Sequence, residues 1–188
     1  MSLRPRLALL LPVLALALAG GWNSPVSAAG ADAKEESAAE PGALAGRWTF
    51  KGGESERGAV DTAIEASIQN LQGPLRDLAR KRLQDTNSVP QAIVLEFEEE
   101  KRKVSLDRRT IRTRGDRTVL FTDPYGNTSR VTHRVDASAL HERLITVDGE
   151  RRNDFVVDSS GDRLTLSVRI SSPHLARPVT YTLTYARE

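Results

Sequence analysis

From Pro90 to the end of the chain, apolar residues recur at every second position, and short turn sequences break the pattern at regular intervals. Ile93, Leu95 and Phe97 alternate with Val94, Glu96 and Glu98; Leu164, Leu166, Val168 and Ile170 oppose Thr165, Ser167 and Arg169; Val179, Tyr181, Leu183 and Tyr185 oppose Thr180, Thr182 and Thr184. Side chains of a strand point alternately to its two faces, so each run has one apolar face and one wet face. Val104 and Leu106, then Ile111, then Val119 to Phe121 continue the series. Turns are expected at Asp123–Asn127, Asp148-Gly149 and Ser159–Asp162, which makes Thr128–Asp136, Leu140–Val147 and Arg151–Asp158 successive hairpin arms. A meander this long with one wet face is expected to close on itself and so remove its edges.

The pattern before Pro90 is different. Gly46–Phe50 reads as a short strand with Trp48 and Phe50 on one face. Val60, Ile64, Ile68 and Leu71 then recur at helical spacing, and Gly73-Pro74 ends that helix. Pro74 suits the first turn of a second helix, whose stripe is Leu75, Leu78, Ala79 and Leu83 opposite Arg76, Arg80 and Lys81. The expected fold is a mostly β, up-and-down antiparallel barrel of about nine or ten strands with a helix-turn-helix pair after the first strand. The alternative is an α+β roll, with the helices in the hollow of an open sheet.

The N-terminus carries a different signal. Arg4 and Arg6 precede the apolar run Leu7–Ala19, which is shorter than the ~20 residues of a membrane span, and Val26-Ser27-Ala28 has the small-residue spacing of a signal-peptidase site. Residues 1–28 are therefore expected to be a cleaved signal peptide, and the protein to be secreted or periplasmic. Residues 29–45, rich in Ala, Glu, Gly and Pro, read as a flexible linker, and residues 46–188 as a single β-barrel domain. With no cysteine anywhere, no disulfide framework and no acylated membrane anchor is expected, and burial must hold the fold together.

Removing residues 1–28 takes away two arginines and no acid, which leaves 25 basic and 25 acidic side chains. A formally neutral chain has no persistent positive field, so no nucleic-acid partner is expected. The basic run of Lys101, Arg102, Lys103, Arg108, Arg109, Arg112, Arg114 and Arg117 reads mostly as solvated strand faces, as do Glu96 and Glu98–Glu100. His133, His141 and His174 are scattered, with no thiolate, no Gly-x-Ser-x-Gly turn and no phosphate-cradling loop beside them. No catalytic residues, metal site or cofactor are expected, and His133, between Val131 and Val135, reads as a satisfied core histidine.

Gly46-x-Trp48, followed by a helix pair and a long meander, resembles the calycins, the barrels that include lipocalins and intracellular fatty-acid-binding proteins. The resemblance covers Gly46–Arg187 and implies that Trp48 closes the barrel floor, with Arg187 as its basic neighbour. The order of elements is particular to the fatty-acid-binding branch, whose helices lid the barrel mouth. That branch holds the ligand carboxylate with an Arg-x-Tyr pair on the last strand; aligning on Tyr185 puts Leu183 in place of the arginine, so a free carboxylate is not expected to be strongly preferred. The expected function is that of a non-catalytic protein binding a small apolar, lipid-like ligand on the inward residues Phe97, Leu106, Phe155, Leu166, Val168, Tyr181, Leu183 and Tyr185. The alternative is a solid-cored structural module of the cell envelope with a protein partner.

Overall fold

The computed structural model describes residues 41–123, 126–136 and 138–188. The expected signal peptide and most of the expected linker lie outside the described residues. A 3-10 turn at Pro41–Ala43 leads into β1 (Gly46–Phe50), followed by α1 (Gly53–Ser67) and α2 (Gly73–Thr86). Nine strands complete the chain: β2 (Ala92–Glu98), β3 (Lys101–Leu106), β4 (Arg109–Arg114), β5 (Val119–Thr122), β6 (Thr128–Asp136), β7 (Ala139–Ile145), β8 (Glu150–Val157), β9 (Arg163–Ser171) and β10 (Val179–Arg187).

All ten strands form one antiparallel sheet in the order β4-β3-β2-β1-β10-β9-β8-β7-β6-β5. Every neighbour pair except β1 with β10 is consecutive along the strand series, as the meander requires. The β1–β10 pairing, Trp48 opposite Arg187 and Phe50 opposite Tyr185, curls the sheet into a nearly closed barrel. Closure stops between β4 and β5, which head the two ends of the strand order and share no ladder. Side chains bridge that seam from within. Arg102 on β3 donates to the carbonyl of His133 on β6 at 2.6 Å, and Thr113 on β4 bonds the His133 ring at 3.0 Å.

The helices follow their sequence patterns but pack differently. Val60 and Ile64 of α1, and Ile68 just beyond it, are buried, and Glu56 ties the helix to β10 by accepting from the backbone N–H and hydroxyl of Thr184, both at 2.7 Å. α2 starts with Pro74 in its first turn and buries none of its residues. Leu75 and Leu78 are 59% and 48% exposed, so the stripe that should cover a core covers open space. Ion pairs from Arg76 and Arg80 to Glu65 hold α2 to α1.

The core fills the half of the barrel beneath α1. Leu44, Trp48, Ile93, Leu95, Leu140, Phe155, Leu164, Leu166, Leu183 and Tyr185 are all at most 1% exposed and belong to one cluster. Leu44, at the edge of the expected linker, is wholly buried and accepts a hydrogen bond from the Trp48 indole at 3.1 Å. A smaller cluster of Ile111, Val131 and Leu144, with Val119 and Phe121 against it, lines the seam.

Candidate functional site

The turns after β3, β5, β7 and β9 surround one end of the barrel, with α2 across it. An open cavity of about 1700 Å³ lies between them. Its roof is the leucine stripe of α2, Leu75, Leu78 and Leu83, with Leu71 just before the helix, and its walls include Leu106, Phe121, Leu144 and Ile170. Leu83 packs against the core cluster while Leu75 and Leu78 stay exposed, and the helix is held by polar contacts, the first being the pairs of Arg76 and Arg80 with Glu65. The second is Arg151 on β8, whose Nη1 donates to the Thr86 carbonyl at 3.1 Å and to Asn87 Oδ1 at 2.9 Å.

Of the residues expected to bind a ligand, Leu106 lines this cavity. Phe155, Leu166, Val168, Leu183 and Tyr185 pack against one another in the core, and Phe97 lies against that cluster. Tyr181, 6% exposed, belongs to the same cluster but turns its hydroxyl to the polar side, donating to Asn87 Oδ1 at 2.9 Å.

Between core and cavity lies a buried polar network with Glu142 at its centre. Glu142 Oε1 accepts from Arg109 Nη2 at 2.8 Å and from Asn153 Nδ2 at 2.6 Å, while Oε2 faces His133 Nε2 at 2.9 Å. Burial alone would push the Glu142 pKa up; the Arg109 guanidinium, with the bonds from His133 and Asn153, overturns this and holds it down at about 2. An ionised Glu142 accepts from His133 Nε2, and the other ring nitrogen of His133, Nδ1, is bonded to the Thr113 hydroxyl at 3.0 Å. Burial and the nearby Arg151 charge push the Arg109 pKa down, against the pull of Glu142. Arg151 completes the network through Nε to Asn153 Oδ1 at 2.9 Å and Nη2 to Tyr181 OH at 3.3 Å.

Thr113, His133 and Glu142 thus have the connectivity of a nucleophile, base and acid. All three are at most 5% exposed and none lines the cavity, so no substrate carbonyl can approach the Thr113 hydroxyl. Their chemistry here is structural: they satisfy one another while holding β4, β6 and β7 together across the seam. Among the described residues, no group of three His, Cys, Asp or Glu side chains is placed to hold a metal ion.

Sequence reasoning did not single out Arg109, Glu142, Arg151 or Asn153. A signal for them existed, since Arg151 shares its strand parity with Asn153, Phe155 and Val157, and Glu142 shares its parity with Leu140 and Leu144. Two members of the basic run, Arg102 and Arg109, likewise point inward with the apolar residues of their strands, the guanidinium-bearing side chains 18% and 25% exposed. Arg108, in the β3–β4 turn, is exposed at the cavity, and Lys101, Arg112, Arg114 and Arg117 are exposed to solvent, as expected.

No family model matches the chain, and no curated protein matches it in sequence. Solved structures do. Lipid-binding protein 8 of Caenorhabditis elegans, in its apo form, aligns with a TM-score of 0.51 at 8% identity over 80% of this chain and 99% of that one. A secretary abundant heat soluble protein of Ramazzottius varieornatus aligns at 0.51 and 9% identity over 78% and 96%. Fatty-acid-binding protein 1 of Echinococcus granulosus gives 0.47 and 14% over 78% and 98%. At such identities the two alignments at 0.51 speak for the fold alone, and with the strand order and the helix pair they show a calycin-like barrel fold.

Proposed function

We propose that the protein is exported, catalyses no reaction, and carries a small apolar, lipid-like ligand in the cavity beneath α2. The observation that carries this reading is the leucine stripe of α2, half exposed over a cavity of about 1700 Å³. Large apolar side chains left facing water cost free energy, and a buried apolar guest recovers it at about 25 cal/mol per Å² covered. A concave site with mostly apolar walls and a few converging polar groups is the usual form of a small-molecule pocket. The C. elegans relative by fold is a lipid-binding protein by its name, which agrees with this reading. The test is to purify the protein from its native compartment, denature it, and identify the small molecules released by mass spectrometry. A lipid recovered near one per chain supports the reading, and an empty protein that also fails to bind Nile red refutes it.

A second reading, a structural or partner-binding module of the cell envelope, draws on the solid half of the barrel. Phe155, Leu166, Leu183 and Tyr185 leave no room beside them, and small barrels filled by their own side chains are common. A stoichiometric protein captured by crosslinking in the native compartment, with no released lipid, favours that alternative.

A further inference from the structure

We propose that His141 is a pH-sensitive fastener of the barrel wall: as an imidazolium it clasps β6 to β8 across β7, and on losing its proton it releases the half of β6 that borders the open seam. The device lies on the outside of the barrel and does not depend on what the cavity carries.

The His141 ring has a carboxylate at each of its nitrogens. Nδ1 is 2.6 Å from Asp154 Oδ1 on β8, and Nε2 is 3.0 Å from Asp136 Oδ2 at the end of β6. A neutral imidazole has one N–H and serves only one of these carboxylates, which leaves the lone pair of its other nitrogen against the second. Only the imidazolium donates to both. The other charges around the ring are cations and oppose its proton. Arg134 stands directly opposite His141 on β6, while Arg143 and Arg152 lie on the same outer face one step along β7 and β8, where both bind Glu150. Burial also pulls the His141 pKa down, but the bonds and charges of Asp154 and Asp136 outweigh it and hold the value above the ordinary 6.5.

The clasp holds a part of the sheet that has few other ties. β5 pairs only with residues 128–131 of β6, so residues 132–136 have β7 as their one ladder partner. On the seam side, the Arg102 guanidinium and the Thr113 hydroxyl bond to His133 in place of a strand. Asp136 ends this segment, and through His141 it is tied to Asp154, one strand beyond its own ladder. Deprotonation removes one of the two bonds and sets a ring lone pair against a carboxylate, so the tie from β6 to β8 is lost. Because the folded value is the raised one, the fastening is complete below pH 6.5 and is lost as the pH rises through the folded pKa.

The full chain is titrated by NMR, with the His141 ring signal identified by its absence in His141→Gln. That ring is expected to titrate above 6.5 in the wild type and to move down in both Asp154→Ala and Asp136→Ala. Backbone hydrogen exchange at residues 132–136 is then compared between wild type and His141→Gln at the same pH, so that the intrinsic exchange rates cancel. At pH 6 the wild type is expected to exchange about two- to fivefold more slowly, the range of exposed ion pairs, and at pH 9 the two should coincide. A His141 that titrates at or below 6.5 overturns the clasp. A wild-type-to-variant ratio that is the same at both pH values overturns its pH sensitivity, and a ratio of one at pH 6 overturns its hold on β6. Should His141→Gln not fold, Asp154→Ala gives the same comparison with the ring in place: loss of protection at pH 6 alone supports the fastener, and protection equal to that of the wild type removes it.

Discussion

The Arg187 guanidinium lies over the Trp48 ring, 4.2 Å from its centroid, and closes the barrel at the end opposite the cavity. The same guanidinium donates to the carbonyls of Ala43, Ala45 and Gly161, so one side chain fastens the entry to β1, the end of β10 and the β8–β9 turn. Gly46 makes this approach possible. Its φ is +136°, and a β-carbon there would stand 2.9 Å from Arg187 Nη1.

Gly46→Ala is therefore expected to destabilise the fold by about 1–3 kcal/mol through strain and displacement of Arg187. Trp48→Ala should cost more, about 3–5 kcal/mol, the range for a buried large aromatic. Urea unfolding of both variants measures this. A loss below about 1 kcal/mol for Trp48→Ala would mean that the ring is not part of the core.

The floor was legible in the sequence because its parts are local signals: a glycine two residues before a tryptophan on the first strand, and an arginine at the end of the last. Pro74 marked the start of α2 for a similarly local reason. The cavity and its polar wall were not. Alternation shows which face Phe155, Leu183 or Arg151 occupies, but a filled barrel and a hollow one need the same apolar face. The partner of Arg109 is Glu142, 33 residues away, and only the register of β6, β7 and β8 brings His133, Glu142 and Asn153 opposite one another. Sequence-based reading also places charged residues on the wet face by default, which hid Arg109 and Glu142.

Glu142→Gln should be among the more damaging single substitutions. It leaves the Arg109 guanidinium without its carboxylate and removes an acceptor that His133 uses, and breaking a buried pair in this way costs about 3–5 kcal/mol. Arg109→Met should cost a similar amount by leaving Glu142 unpaired. The double variant is expected to lose less than the sum of the two, and this double-mutant cycle isolates the pair's coupling. Strict additivity would show that the two side chains act independently.

Acid should unfold the protein over a defined window. The Glu142 carboxyl is held at about 2 by Arg109 and its hydrogen-bond donors, and Glu150 is held at about 2 by its bonds to Arg143 and Arg152. Both folded values lie below the ordinary carboxyl value of 4.5. Their stabilisation is thus fully present above about pH 4.5 and is lost as the pH falls toward 2. Thermal melts from pH 7 to pH 2.5 should be flat at the upper end with respect to these groups and fall steeply below 4.5. In a folded Glu142→Gln variant the fall should be shallower, and an unchanged slope would remove Glu142 from the account.

Export is tested by the mass of the mature chain. Residues 1–28 have the charge, length and small-residue spacing of a cleaved signal, so the protein recovered from its native compartment should begin near Ala29. A product that keeps Met1, or that sediments with membranes, would show that Leu7–Ala19 acts as an anchor instead.

The exposed leucines of α2 separate a ligand lid from a structural helix. Leu75 and Leu78 are 59% and 48% exposed and line the cavity, so neither contributes much to the stability of the empty protein. Leu75→Ser with Leu78→Ser should shift the unfolding free energy by less than about 1 kcal/mol, as surface substitutions do. Removing both side chains also removes the apolar roof against which a ligand would lie. At about 25 cal/mol per Å² of apolar surface covered, each lost contact should weaken binding of an apolar probe several-fold, and the pair by about tenfold or more. Nile red titration of the double variant measures that change. Weaker binding at unchanged stability is what a lid produces. The opposite result, a destabilised fold with unchanged probe affinity, is what a helix packed for structure alone produces, because its leucines would then support the barrel rather than a guest.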